Sequence, residues 1–160
     1  MHIIFEKKDA AFSKNRLHRY CLIRIWDNTK PKVAFVGLNP STANETNDDP
    51  TIRKVIGFAK KWGYGGFYML NLFTRITPYS KELLHIQLLD KSSDYFLKFF
   101  ASNSAKIIYC WGKFPIAENR AKEVIQMLGP GYALDINKDG SPRHPLYVPK
   151  NAKLIPYGHD

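Results

Sequence analysis

The 160-residue chain has only two cysteines, Cys21 and Cys110. Two thiols build neither a disulfide framework nor a cysteine-rich zinc or iron–sulfur site. No apolar run approaches the roughly 20 residues that cross a bilayer, so no membrane partner is expected. Met1 to Asp9 contains Glu6, Asp9 and two lysines but no continuous apolar core, which excludes a secretory signal. Internal repeats, linkers and low-complexity tracts are lacking. The expectation is a cytoplasmic monomer with no cofactor and no resident metal. The exclusions also leave a single domain over 1–160, with 1–19 set apart as an arm that packs on the domain or embraces a partner.

Acidic residues are also scarce, 14 against 24 Lys and Arg, for a net charge of +10. In a chain this short, such a balance points to a polyanionic partner, nucleic acid first. A basic, soluble surface with no partner is the bland alternative. The charge is uneven: residues 1–35 carry eight Lys and Arg, whereas 37–50 carry none and contain Glu45, Asp48 and Asp49.

What the chain has is a 44% hydrophobic content, with 14% of all residues aromatic, arranged in short blocks. Val33 to Val36 is a continuous apolar run, the pattern of a strand covered on both faces. It halts at Gly37-Leu38-Asn39-Pro40-Ser41, where Pro40 holds Asn39 extended. Asp49-Pro50 then starts a helix, with Asp49 as N-cap and Pro50 in its first turn. Ile52, Val55, Ile56, Ala59 and Trp62 recur at helical spacing until Gly63. Phe67 to Asn71 reads as a second buried strand parallel to the first. Tyr20 to Trp26 reads as an edge strand paired to Val33–Val36 through a hairpin, with Tyr20, Leu22 and Arg24 on one face. Residues 10–18 read as polar and irregular.

Further on, 80–103 reads as two helical pieces broken near Asp90, the second with Tyr95, Phe96, Phe99 and Phe100 as a core stripe. Strands are expected at 105–111 and 132–136 around a helix over 116–128, followed by an extended, proline-rich 141–149. The alternation predicts a three-layer α/β/α sandwich with a short, mainly parallel four-stranded sheet plus an edge strand.

Parallel α/β sheets bind ligands beyond the carboxyl ends of their strands. Here those ends are Gly37 to Pro40, Asn71, Trp111-Gly112 and the segment Arg143-His144-Pro145. Two carboxamides and an imidazole suit recognition of a planar heterocycle, because an amide offers both donor and acceptor to a base edge. Glu45, Asp48 and Asp49 offer a second chemistry, as general acid or base or as Mg²⁺ ligands. Capping is the ordinary role for Asp49, while Asp48 is left free to supply a base near Asn39. Arg24 and Arg75 are natural ion-pair partners for this acidic loop.

These segments resemble the uracil-DNA glycosylase superfamily. Gly37-Leu38-Asn39-Pro40 is similar to its G-x-N-P-G motif, and Tyr68 to Thr74 to the strand whose terminal Asn reads uracil. Trp111-Gly112 and His144-Pro145-Leu146 are similar to its W-G and H-P-S-x-L segments. The chain also resembles an uncharacterised bacterial and phage family with G-L-N-P-S-T-A, D-D-P-T, W-G-Y-G-G and H-P-L-Y signatures.

The glycosylase resemblance implies that Asn39 places a water for attack on the sugar C1′, Asn71 reads the base, and His144 stabilises the departing base. It puts Gly37, Leu38, Pro40, Ser41, Phe73, Trp111 and Gly112 around the base. Leu146 or Tyr147 would wedge into the duplex, with Lys113, Arg143 and Lys150 on phosphates. Ser41 replaces the motif's Gly, Asn39 stands where an Asp would be the stronger base, the Ser of H-P-S is missing, and so are the cluster-binding cysteines. The resemblance thus implies an enzyme acting on an N-glycosidic bond, with DNA rather than RNA, or else a nucleotide, as its partner. A non-catalytic binding module and an enzyme of free nucleosides or nucleotides are the alternatives.

Overall fold

The apolar run at 33–36 is buried on both sides because its residues alternate between two packed layers. In the computed structural model, which describes residues 5–159, β3 (Lys32–Gly37) sends Val33 and Phe35 to one layer and Ala34 and Val36 to the other. All four are fully buried. The first layer is capped by α1 (Pro50–Lys61), through Ile52, Val55, Ile56, Phe58 and Ala59. The second is capped by α2 (Ser93–Ser102) and α3 (Ala117–Leu128), through Leu97, Ala101, Ala117, Ala121 and Val124. Helices therefore cover both faces of the sheet.

That sheet has seven strands rather than the expected five. With β1 (Lys7–Phe12), β2 (Arg19–Ile25), β4 (Gly66–Asn71), β5 (Ile107–Tyr109), β6 (Gly131–Ala133) and β7 (Ile155–Tyr157), the order is β1-β2-β4-β3-β5-β6-β7. The pairs β3–β4, β3–β5 and β5–β6 are parallel, while β1–β2, β2–β4 and β6–β7 are antiparallel. The chain winds outward from β3 to β4 on one side, then crosses to β5 and β6 on the other. The winding reverses at β3, so the crevice for a ligand opens beyond its carboxyl end.

Several sequence expectations are corrected here. Strand β2 does not form a hairpin with β3; β4 inserts between them. Gly65 and Gly66 explain why. A side chain on Gly65 would lie 2.0 Å from the Asp27 carbonyl oxygen, and one on Gly66 would lie 2.5 Å from that of Arg24. Only bare backbone fits so close to the end of β2. Strand β2 is not the edge either, because residues 7–12, expected to be irregular in part, form β1 alongside it. The ladder slips there, with Ala11 opposite Cys21 and Phe12 opposite Arg19. The extra residue, Tyr20, is swung by this bulge to stack on Phe96 of α2, off the face of Leu22 and Arg24.

Only part of the aromatic stripe of α2 meets the core: Phe100 packs against it and Phe96 stacks on Tyr20. Tyr95 and Phe99 are 64% and 48% exposed, and the helix buries Ser93, Leu97 and Ala101 instead. The first of the two expected helical pieces is only a 3-10 turn, Ser80–Leu84. Strands β5 and β6 are three residues each, and β7 lies beyond the proline-rich segment, where no strand was expected.

Helix α1 begins as its residues dictate. Asp49 Oδ1 accepts the Ile52 N–H at 2.8 Å, Pro50 follows it, and Gly63 at φ +83° lets the chain turn away after the last turn.

Candidate functional site

The four segments singled out by the sequence meet. A cavity of about 430 Å³ lies beyond the ends of β3, β4 and β5, lined among others by Gly37, Leu38, Asn39, Ser41, Asn71, Trp111, Gly112, Lys113, His144, Leu146 and Tyr147. Backbone continues β4 past the sheet, with Leu72 N–H on the Gly37 carbonyl at 2.8 Å and Phe73 N–H on that of Leu38 at 2.9 Å. This locks the Asn39 and Asn71 segments side by side.

Each polar side chain presents one defined face. Asn39 Nδ2 donates to the carbonyl oxygens of Pro40 and Thr77 at 3.0 and 2.9 Å, which leaves Oδ1 as its available acceptor. His144 Nδ1 accepts the Leu146 N–H at 3.1 Å as the cap of a 3-10 turn, Pro145–Tyr147. The ring is thereby fixed as the tautomer with hydrogen on Nε2. Burial pulls its pKa below the usual histidine value, partly opposed by the charge of Asp49, so the neutral donor form persists. Gly112 takes φ +80°, and a side chain there would touch His144 Cβ at 3.3 Å. That glycine lets the β5 end pass close behind the imidazole.

The acidic loop divides its carboxylates instead of pooling them. Asp48 accepts from Arg24 Nε at 2.8 Å and does not line the cavity. It therefore does not reach the Asn39 end, and its expected service as a base there is corrected. Arg24, fully buried, also binds the carbonyl oxygens of Asn44 and Asn47, and so supports the whole loop. Glu45 pairs with Arg16 at 3.1 Å on the surface. The cavity carboxylate is Asp49, which caps α1 through Oδ1 and lines the opening. With the three carboxylates turned to different partners, the loop forms no shared Mg²⁺ cage. Among the described residues, no group of three or more His, Cys, Asp or Glu is arranged to hold a metal.

Other assignments also shift. Phe73 is 4% exposed within the core shared with α2 and α3, so it does not stack on a ligand. Pro40 is buried behind Asn39 and contributes its carbonyl. Arg143 pairs with Asp135 at 3.3 Å and donates Nε–H to Asn137 Oδ1, beside a second opening that it shares with Lys113, His144 and Tyr147. Lys150 lies away from the cavity, its carbonyl oxygen taking the Lys61 ammonium at 3.4 Å. Leu146 and Tyr147 stand 43% and 76% exposed at the rim.

The residue that sequence reasoning missed is Arg19. It lines the cavity, is 3% exposed, and has no carboxylate within ion-pair distance among the described residues. Burial lowers its pKa to about 10, against the raising influence of Asp49, so it stays charged at neutral pH. In sequence it is one of many basic residues before position 35, and nothing local marks it. Thr77, Pro78 and Ser80 also line the cavity from the loop after β4. Cys110 is there too, but burial pushes its thiol up to about 12, which removes it as a nucleophile.

These features define an α/β protein with a polar, positively biased cavity at the carboxyl ends of its parallel strands. A family model described as a protein of unknown function, DUF1643, matches residues 19–146, and the chain belongs to that family. No curated protein and no solved structure matches the chain. Every lining residue named above from Arg19 to Leu146 falls inside the matched span.

Proposed function

We propose that the cavity recognises a nucleobase and that the protein hydrolyses the N-glycosidic bond holding it, in DNA. The observation that carries this reading is the complementary polarity of three side chains around one opening: an acceptor on Asn39, a donor on His144, and Asn71, whose Oδ1 accepts from Arg19 at 3.3 Å and so leaves its Nδ2 as a donor. The resemblance of their segments to the uracil-DNA glycosylase superfamily and the charge of +10 agree with it.

In this reading Asn39 Oδ1 accepts a hydrogen from the attacking water and orients its oxygen toward C1′. Asp49 takes the water's proton, supplying the base that Asn39 cannot be. The new bond is C1′–O and the bond that breaks is C1′–N. The pair of electrons leaves on the base, whose oxygen receives a hydrogen bond from His144 Nε2–H. Leu146 and Tyr147, exposed on a short capped turn, fill the stack that the base vacates.

Incubation with oligonucleotides bearing uracil, mismatched or hypermodified bases tests the reading. The expected result is release of free base and an abasic site, with turnover lost in Asn39→Ala. No release across the panel would sink it.

One observation favours an enzyme of free nucleosides or nucleotides. Of the three cations assigned to phosphates, Arg143 is ion-paired and Lys150 lies apart, leaving Lys113 at the cavity. Running mononucleosides and mononucleotides beside the oligonucleotides separates the two substrates.

A further inference from the structure

Arg19 stands at the start of β2 and touches the cavity from within the protein. Its Nη1 donates to the Ala43 carbonyl oxygen at 3.1 Å, and its Nη2 donates to Asn71 Oδ1 at 3.3 Å. Its Nε is buried with no partner. A buried guanidinium without a carboxylate is costly to keep. Its most specific contact is Asn71.

A guanidinium has five donors and no acceptor. The atom of Asn71 that faces it must therefore be the carboxamide oxygen. Turning the amide over would set NH₂ against the guanidinium, donor to donor, within a buried pair. With Oδ1 committed, Nδ2 is directed the other way. It lies 3.0 Å from where a side chain on Gly37 would begin, on the cavity wall, and makes no hydrogen bond among the described residues. The His144 tautomer adds Nε2–H as a second donor.

We infer that Arg19 is a positioning residue that sets the polarity of Asn71, so that this end of the cavity reads hydrogen-bond acceptors and rejects amino groups. The ligand class is an oxo-bearing heterocycle, with its carbonyl oxygen at Nδ2. An exocyclic amine placed there meets a donor it cannot satisfy. The positive charge behind the amide also strengthens Nδ2 as a donor to an oxygen that gains negative charge. The inference rests on the base-pocket reading for its ligand, but its geometric half stands by itself.

Two measurements test it on the full chain. In the free protein, nuclear Overhauser effects should connect the Asn71 side-chain NH₂ protons to the Gly37 α-protons. Contacts from that NH₂ to the Arg19 guanidinium, with none to Gly37, would overturn the assigned orientation. The second measurement is calorimetric titration with uridine and with cytidine, which differ by an oxo and an amino group at one edge. The wild type should prefer uridine by roughly 100-fold, the scale on which an unpaired buried donor is rejected.

Arg19→Met should reduce that preference to about 3-fold or less, because the amide is then free to turn. Arg19→Lys, which restores a donor to Oδ1, should recover most of the preference, and it keeps the test alive where Arg19→Met fails to fold. A purely structural role would weaken both ligands alike and leave their ratio unchanged; that result, or a cytidine preference in the wild type, would refute the proposal. Binding of neither nucleoside would instead defeat the base-pocket reading and the ligand class with it, leaving the Asn71 orientation to be decided by the nuclear Overhauser effects.

Discussion

Arg24 Nε donates to Asp48 Oδ1 at 2.8 Å, and Nη2 of the same guanidinium holds the carbonyl oxygens of Asn44 and Asn47 at 2.6 and 3.1 Å. One fully buried side chain thus fixes the loop that carries both Asn39's successor residues and the N-cap of α1. Replacing Arg24 by Met removes the charge partner of a side chain that is only 20% exposed. The expected loss of stability is about 3 kcal/mol, the scale for breaking a mostly buried pair. Urea denaturation measures it directly, and an unchanged midpoint would contradict the anchoring role. Asp48→Asn should lower stability while leaving turnover in place, since Asp48 stands outside the cavity.

Asp49 has two jobs that substitution can separate. Asn at 49 still accepts the Ile52 N–H, whereas Ala does not and should cost about 1 kcal/mol. Both lose the carboxylate that faces the cavity. Base release should therefore fall by ~100-fold or more in Asp49→Asn and Asp49→Ala alike, with thermal stability reduced only in the second. Full activity in Asp49→Asn would remove Asp49 from the chemistry.

Gly37 is pressed against the Asn71 amide. A methyl group there would sit 2.9 Å from Met69 Cε and 3.0 Å from Asn71 Nδ2. The methionine tip can move, but Asn71 is held by Arg19, so strain falls on the side chain proposed to read the ligand. Gly37→Ala should destabilise the fold by about 1 kcal/mol and weaken ligand binding by more than that stability change explains. Paired melting and titration curves check both, and unchanged affinity would argue against Asn71 as the reader.

Stability should fall as the solution turns acidic, and the direction follows from two histidines. His144 and His18 both have folded pKa values below the ordinary 6.5, in each case chiefly through burial. At His18, Asp90 raises and Arg75 lowers the value further. The native state then binds fewer protons than the unfolded chain between the folded and unfolded pKa values. Stability is complete above about pH 6.5 and is lost as the pH drops through that window. His18→Gln and His144→Gln should flatten the dependence between pH 7 and 5 in denaturant titrations. Protonation of His144 Nδ1 also removes the Leu146 cap, so ligand binding should weaken along with it.

Local chemistry made much of this molecule readable in the sequence. The Asp49-Pro50 start and Gly63 stop of α1 are set by residues within a few positions of one another, and so are the buried runs of β3 and β4. The ends of those runs, with Trp111-Gly112 and His144, were legible as a shared site because breakers fall where strands leave the sheet. The parallel pairing of β3 with β4 was legible too; the partner of β2 was not. The hairpin expected between β2 and β3 satisfied every local rule, and it lost to β4 because two glycines, near position 65, admit a backbone that side chains would exclude.

Sequence alone therefore determined the central strands β2, β3 and β4, helix α1 with its cap, and the polar residues that end β3 and β4, because those choices depend on neighbours along the chain. Tertiary structure decided which charges face the cavity. Asp48 and Asp49 are adjacent and chemically alike, yet a partner 24 residues away claims the first and leaves the second at the cavity. Arg19 is one basic residue among 24, and only a contact spanning 52 positions brings it to Asn71. Such assignments turn on which buried group finds a partner of opposite polarity, and that is settled only when distant segments pack.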